Sequence, residues 1–407
     1  MKRVVVTGLG AVTPIGNTLS EYWNGLINGV NGIAPISRFD TTDSKCKLAA
    51  EVKGFDPLSC LDKGTARKTD PYVQYALACA QEAMADSGLE GKIDEDELGV
   101  YFGSGVGGIQ TTCENHEGML EGGAKKVTPQ FVPKMIINIA AGQIAIRFHA
   151  HGNAMSMSTA CATGTTAIGE AYRAIKDGYL TAAICGGSEA AITPLCVAGF
   201  VNCMALSQAQ NPDEASLPFD SRRAGFVIGE GAAALILEEY DHAVARGAKI
   251  YAEMCGYGAT CDAHHVTAPD PEAVYTAKAI RKALENVDYR ADELYINAHG
   301  TGTSLNDTTE TKAFKLAFGE DAKKVKISST KSMTGHMLGA AGAAEAIACI
   351  KALETGIIPP TINLTSPDPA CDLDYTPCKA VNHPVTTAIS TSLGFGGHNA
   401  CIAFRKV

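Results

Sequence analysis

Apolar residues fall into short runs that end in glycine-rich turns and give way to stretches with helical spacing. The runs are KRVVVTGLG, LGVYFGSGVGG, TAAICGG, AAALILEE, YAEMCGYG, LYINAHGTG, VKISST and ACIAF. A strand with one wet face alternates apolar and polar positions, whereas several of these runs are apolar throughout, which predicts strands covered on both faces. Strand and helix taking turns in this way predict layered α/β packing.

The pattern also repeats. STACATGTTAIGEAYRAI from Ser158 echoes STKSMTGHMLGAAGAAEAI from Ser329 in its Ser-Thr start, its later glycine and its small-residue helix. YFGSGVGG likewise echoes NAHGTGTS, each a strand end turning through a Gly-x-Gly step. Two fused halves are expected, cut near residue 249 into segments 1–249 and 250–407. A chain of 407 residues exceeds the size at which one core stops growing, which agrees.

Composition narrows the class. The 46% hydrophobic content, 42 glycines and single tryptophan suit close strand–helix packing. The opening MKRVVVTGLG has early basic residues and an apolar run, but Gly8 and Gly10 interrupt it, so a buried first strand is expected rather than a leader. The most apolar stretch, TAAICGGSEAAITPLCVAGF, carries Glu189 and Pro194 and does not read as a membrane span. A soluble, cytoplasmic protein is expected. Its 14 cysteines are scattered through apolar contexts and read as reduced thiols. No close Cys-x-x-Cys pair occurs, and His264 and His265 are adjacent, so no metal is expected. A formal charge of −10 argues against nucleic-acid binding. An acidic partner would need a local basic patch.

Candidate chemistry concentrates at three strand–helix junctions. Cys161 lies among small residues ahead of a helical pattern, a place where a helix N-terminus lowers a thiol pKa and where an acyl group can reach the sulfur. His299 closes the strand ELYINA and opens HGTGTSLND; His336 follows VKISST and precedes an Ala/Gly-rich helix. One cysteine and two histidines on equivalent junctions form a possible catalytic group, the alternative being capping or core histidines. Lys331 and Glu345 could form a buried ion pair that holds the loop of His336, with structural support and proton transfer both open. Phe395 stands in the glycine run GFGGHN, where an aromatic can gate a pocket or merely close a turn. Gly103-Ser104-Gly105-Val106-Gly107-Gly108 satisfies a dinucleotide pattern but lacks the second strand and acid, so it reads as a tight turn.

TACATG at Cys161, HGTGT at His299, KSMTGHMLGAAG from Lys331, GFGGHN and DSRRAGFVIGEGAAALILE together resemble the β-ketoacyl-[acyl-carrier-protein] synthases over the whole chain, most of all the synthase II branch of dissociated bacterial fatty-acid synthesis. The resemblance implies the thiolase fold, five layers α-β-α-β-α from two similar halves, and a homodimer. It implies that Cys161 takes an acyl group from acyl carrier protein and that His299 and His336 stabilise the charge left when malonyl-carrier protein loses CO2. Backbone N–H groups of Cys161 and Phe395 would hold the acyl-transfer oxyanion, and Lys331 and Glu345 would support. Thr301 and Thr303 would hold the pantetheine arm, Phe395 would gate, and Phe200 and Val106 would shape the acyl pocket. No cofactor is implied beyond the carrier's phosphopantetheine. Lys63, Arg67 and Lys68 in KGTARK are the expected carrier-docking patch, while Met204 stands where relatives often carry an arginine. The same motifs serve polyketide and polyene ketosynthases, which stay open as the alternative. A thiolase is disfavoured because Cys401 falls inside the last apolar strand.

Overall fold

A computed structural model describes residues 1–407. Ten strands carry the architecture: β1 (Val4–Val12), β2 (Leu98–Gly103), β3 (Ala154–Met155), β4 (Ala182–Glu189), β5 (Gly231–Glu239), β6 (Ala252–Cys261), β7 (Leu294–Asn297), β8 (Lys326–Ser328), β9 (Thr387–Gly394) and β10 (His398–Arg405). Six helices cover them: α1 (Pro71–Ser87), α2 (Ile139–Phe148), α3 (Thr163–Lys176), α4 (Val274–Leu284), α5 (Ser304–Phe318) and α6 (Ala341–Thr355).

Strand order runs β8-β7-β9-β10-β6-β1-β5-β4-β2-β3. Read outward from the central β6–β1 pair, the two sides have the same connectivity, with β1 to β5 matched by β6 to β10. The pairing senses match as well: β2 is parallel to β3 and β4 as β7 is to β8 and β9, while β4–β5, β5–β1, β9–β10 and β10–β6 are antiparallel. The duplication legible in the sequence is therefore real. The two sheets join through a short antiparallel contact, Val4–Val6 against Ala252–Met254.

Continuous apolar runs follow from this stacking, because each sheet is buried on both faces. In β4, Ala182 and Ile184 face the layer of α1 and α2, while Ala183 and Cys185 face the shared central layer of α3 and α6. The central cluster holds 45 buried residues, against 27 and 17 in the two outer clusters, so the largest single part of the core belongs to both halves at once. With α4 and α5 covering the far side, the molecule has five layers.

Local sequence explains the helices. α1 starts with Asp70 accepting the N–H of Tyr72, has Pro71 in its first turn, and ends on Gly88 in the left-handed region. It crosses β1 so closely that a Cβ on Gly10 would lie 2.1 Å from the Cys79 carbonyl; in the second half, Gly258 of β6 stands 2.0 Å by the same measure from the Ala279 carbonyl of α4.

Two strands were not legible as runs. β3 has two residues, and β9 is TAISTSLG, whose buried Ser390, Thr391 and Ser392 give it no apolar signature. The echo of Ser158 with Ser329 also needs correction, since it pairs Cys161 with Ser332. The 3-10 turn Ala160–Ala162 that leads into α3 instead matches Leu338–Ala340 ahead of α6, and both begin on a non-glycine residue with positive φ, 50° at Ala160 and 47° at Leu338. Cys161 thus corresponds to Gly339, and the second half has extra residues between β8 and its turn that carry Lys331 and His336.

Candidate active site

Three loops from different parts of the chain meet over the ends of the strands. The turn before α3 brings Cys161, the end of β7 brings His299, and the extra segment after β8 brings His336. All three line one cavity of about 240 Å³, together with Phe200, Met204, Thr301, Thr303 and Phe395. Convergence at strand ends is where α/β folds place ligands.

Cys161 is half-buried. Removal from bulk water pushes its thiol up to about 12, and Glu189 pushes in the same direction, while Lys331, the Phe395 N–H and its own N–H pull it down. A lowered pKa was expected from the helix N-terminus alone. Desolvation outweighs that dipole here, so the resting sulfur is a protonated thiol.

His299 is held through its backbone. Its N–H donates to Glu310 Oε1 (2.7 Å), the next N–H, of Gly300, donates to Oε2 (2.8 Å), and Thr391 Oγ1 donates to Oε1 (2.8 Å). Burial pushes the Glu310 carboxyl up to about 7, opposed by these three donors. His336 is locked between two backbone contacts, donating to Val227 O (2.7 Å) and accepting from Gly229 N–H (2.8 Å). Its ring meets the edge of Phe226 at 5.1 Å, and Phe226 in turn meets Phe200 at 5.5 Å. The segment GFVIGEG is therefore the wall that seats His336.

The two imidazoles stand 5.3 Å apart between centroids, nearly perpendicular. Desolvation first, then the Lys331 cation, push both pKa values well below the ordinary imidazole range, so both rings are neutral. His299 Nδ1 and both ring nitrogens of His336 are buried without a hydrogen-bond partner. Buried polar atoms are normally satisfied, and three orphans in one cavity point to a missing polar group of a substrate.

Lys331 and Glu345 form a buried ion pair, leaving Glu345 Oε2 free. Burial raises the Glu345 pKa and Lys331 opposes the rise. Thr301 Oγ1 and Thr303 Oγ1 lie 3.0 Å apart on the cavity wall. Phe395 is 37% exposed, on a loop whose Gly396 and Gly397 have φ of 88° and 78°. Val106 does not line the cavity; it packs in the apolar cluster that also takes Phe200 and Cys161. Lys63, Arg67 and Lys68 lie exposed on the short helix Lys63–Lys68, away from the cavity wall and outside every ion pair. Met204 is 88% exposed on the rim. Glu310 and Glu189 escaped the sequence reading of the site. Glu310 gives no sequence signal inside an ordinary polar helix, but Glu189, an acid closing an apolar strand, did.

The β-ketoacyl synthase N-terminal domain matches residues 1–243, and the β-ketoacyl synthase C-terminal domain matches residues 251–365. The chain belongs to the β-ketoacyl synthase family. Within it, the chain is 50% identical to the 3-oxoacyl-[acyl-carrier-protein] synthase 2 of a Synechocystis strain, over 100% of this chain and 98% of that one. It is 46% identical to the protein of the same name from Staphylococcus aureus strain COL, again over 100% and 98%. A solved complex of a type II polyketide acyl-carrier protein with its hexaketide-bound ketosynthase aligns with TM-score 0.90 at 35% identity, covering 100% of this chain and 99% of that one.

Proposed function

We propose that Cys161, His299 and His336 carry out the decarboxylative condensation of a 3-oxoacyl-[acyl-carrier-protein] synthase 2, lengthening acyl chains in fatty-acid synthesis. The carrying observation is the meeting of one thiol and two neutral, unpartnered imidazoles in one mainly apolar cavity. Full-length identity to proteins of that name supports the same reading.

The steps are those the family resemblance implies, assigned to these residues. Cys161 sulfur attacks the thioester carbonyl of an acyl-carrier substrate; a C–S bond to Cys161 forms, the C–S bond to the pantetheine breaks, and the departing thiolate receives the proton that Cys161 loses. N–H groups of Cys161 and Phe395 hold the oxygen of the tetrahedral intermediate. Malonyl thioester then binds, its carboxyl C–C bond breaks, CO2 leaves, and the electron pair passes to the thioester oxygen. Neutral His299 and His336 donate N–H to that oxygen in a water-poor site, where such bonds are strongest. The carbanion attacks the acyl-enzyme carbonyl, a C–C bond forms, the C–S bond to Cys161 breaks, and the released thiolate takes a proton from solvent. Lys331, held by Glu345, keeps both rings neutral and favours the thiolate; Thr301 and Thr303 hold the pantetheine arm at the mouth, Phe395 gates it, and Phe200, backed by Val106 from outside the wall, bounds the acyl end.

Acyl carrier protein is the partner, and exposed, unpaired Lys63, Arg67 and Lys68 are its docking cations. Met204 makes the rim itself apolar. The exposed edge strand β3, with Met155 at 45% exposure, supports pairing with a second copy, which the subunit mass in solution decides. Fourteen unpaired cysteines support a reducing, cytoplasmic setting, and no helix is long and apolar enough to cross a membrane. Segments 1–249 and 250–407 are the two halves, supported by the repeat of strand order after β5. A polyketide ketosynthase is the second reading, supported by the aligned hexaketide complex.

Condensation with malonyl-carrier protein and acyl-carrier proteins of graded length is the test. Cys161→Ala should abolish elongation, and Cys161→Gln should retain malonyl decarboxylation; elongation at the native rate by the alanine variant rules the mechanism out. Charge reversal at Lys63, Arg67 and Lys68 should raise KM for carrier-borne substrates, and an unchanged KM removes the docking role.

A further inference from the structure

The duplication has left a second copy of the nucleophile turn, and the two copies are occupied differently. Register aligns Ala182 of β4 with Leu98 of β2, and Thr387 of β9 with Leu294 of β7, so Glu189 and Gly394 end their strands at equivalent positions. Each end faces a 3-10 turn that leads into a central helix. Gly394 faces the Cys161 turn, where a Cβ would lie 2.4 Å from Thr159 O and 3.3 Å from Cys161 N. With no side chain there, the space before the Cys161 N–H stays open.

At the equivalent place Glu189 fills that space. Its Oε2 accepts the N–H of Gly339, the counterpart of Cys161, at 3.0 Å and that of Gly105 at 2.8 Å. Its Oε1 accepts the N–H of Val106 at 3.1 Å and the hydroxyl of Ser104 at 2.8 Å. Ser104 Oγ meanwhile accepts the Gly107 N–H at 2.9 Å, so its own hydrogen is free for Glu189. Four donors and no acceptor surround a fully buried carboxyl group; burial raises its pKa and these four hydrogen bonds oppose the rise, so the donor set favours the anion.

We propose that Glu189 is a positioning residue for condensation: its carboxylate occupies the duplicate of the oxyanion pocket and ties the turn 104–106, which packs behind Phe200 and Cys161, to the turn 338–340 behind His336. The inference rests on Cys161 and His336 having the roles proposed above. Glu189 does not touch substrate. It holds two turns in place, and its negative charge faces Cys161 across the glycine contacts, opposed by Lys331, with His299 and His336 neutral.

Glu189→Gln separates these effects. An amide in this site sets an N–H against backbone N–H groups and misplaces the turns, so kcat for condensation should fall by about tenfold or more, with KM little changed. Loss of the anion should let the Cys161 thiolate form at lower pH, so alkylation of Cys161 by iodoacetamide should accelerate and its pH profile move to the acid side. A purely structural defect would slow both. If the glutamine variant does not fold, Glu189→Ala prepared with acetate, which replaces the missing carboxylate, should recover condensation that chloride does not restore. Native kcat in the glutamine variant, alkylation slowed in parallel with condensation, or no difference between acetate and chloride overturns the proposal. Failure of wild-type Cys161 to take an acyl group, read by mass, would instead overturn the nucleophile assignment.

Discussion

At the scale of residues, the decisive quantity is the charge state of the two imidazoles. Burial and the Lys331 cation hold both below the ordinary range, so they serve as neutral donors and gain nothing from alkaline pH. An unperturbed imidazole would be half protonated near pH ~6.5. Decarboxylation of malonyl-carrier protein by the Cys161→Gln variant should accordingly keep its rate as pH falls from about 8 through 6.5, and decline only below that. A midpoint at 6.5 in the pH–rate profile would show that the rings titrate normally. The cysteine is the opposite case. Sequence placed Cys161 at a helix N-terminus correctly, but the consequence drawn from it, a depressed pKa, fails because dehydration of the sulfur outweighs a dipole felt through one turn.

At the scale of elements, glycines set how closely helices can lie on strands. Gly8 and Gly10 of β1 meet carbonyls of α1, and Gly256 and Gly258 of β6 meet carbonyls of α4, in each case with no room for a methyl group. The same solution in both halves ties spacing to duplication. Gly258→Ala should destabilise the protein by about 2–3 kcal/mol in denaturant unfolding, the usual size for overpacking a tight core; a loss under about 0.5 kcal/mol would mean that α4 shifts freely. Eight strands were legible as apolar runs, five of them ending in glycine. β9 was not, because it buries hydroxyls where a strand normally buries hydrocarbon: Ser392 pairs with Thr165 at 2.7 Å and Thr391 with Glu310, partners that only the fold supplies.

At the scale of the whole molecule, the two halves share a core rather than adjoin. The central cluster takes residues from α3 and α6 and from both sheets, so either half alone would expose one face of its sheet and of its central helix. Segment 1–249 expressed by itself should lack a cooperative thermal transition by circular dichroism; a sharp transition would show that the halves are independent domains. Sequence by itself determined the strand and helix alternation, the existence of a duplication, and the three junctions that bear Cys161, His299 and His336, because periodicity and small-residue turns are local properties of the chain. Tertiary structure decided the rest: that the echo aligns Cys161 with Gly339, that Val106 stays outside the cavity wall, that Glu310 holds the His299 loop, and that the thiol rests protonated. Each of these depends on which distant groups are brought together and on how much water is left between them, and neither is a property of any stretch of residues taken alone.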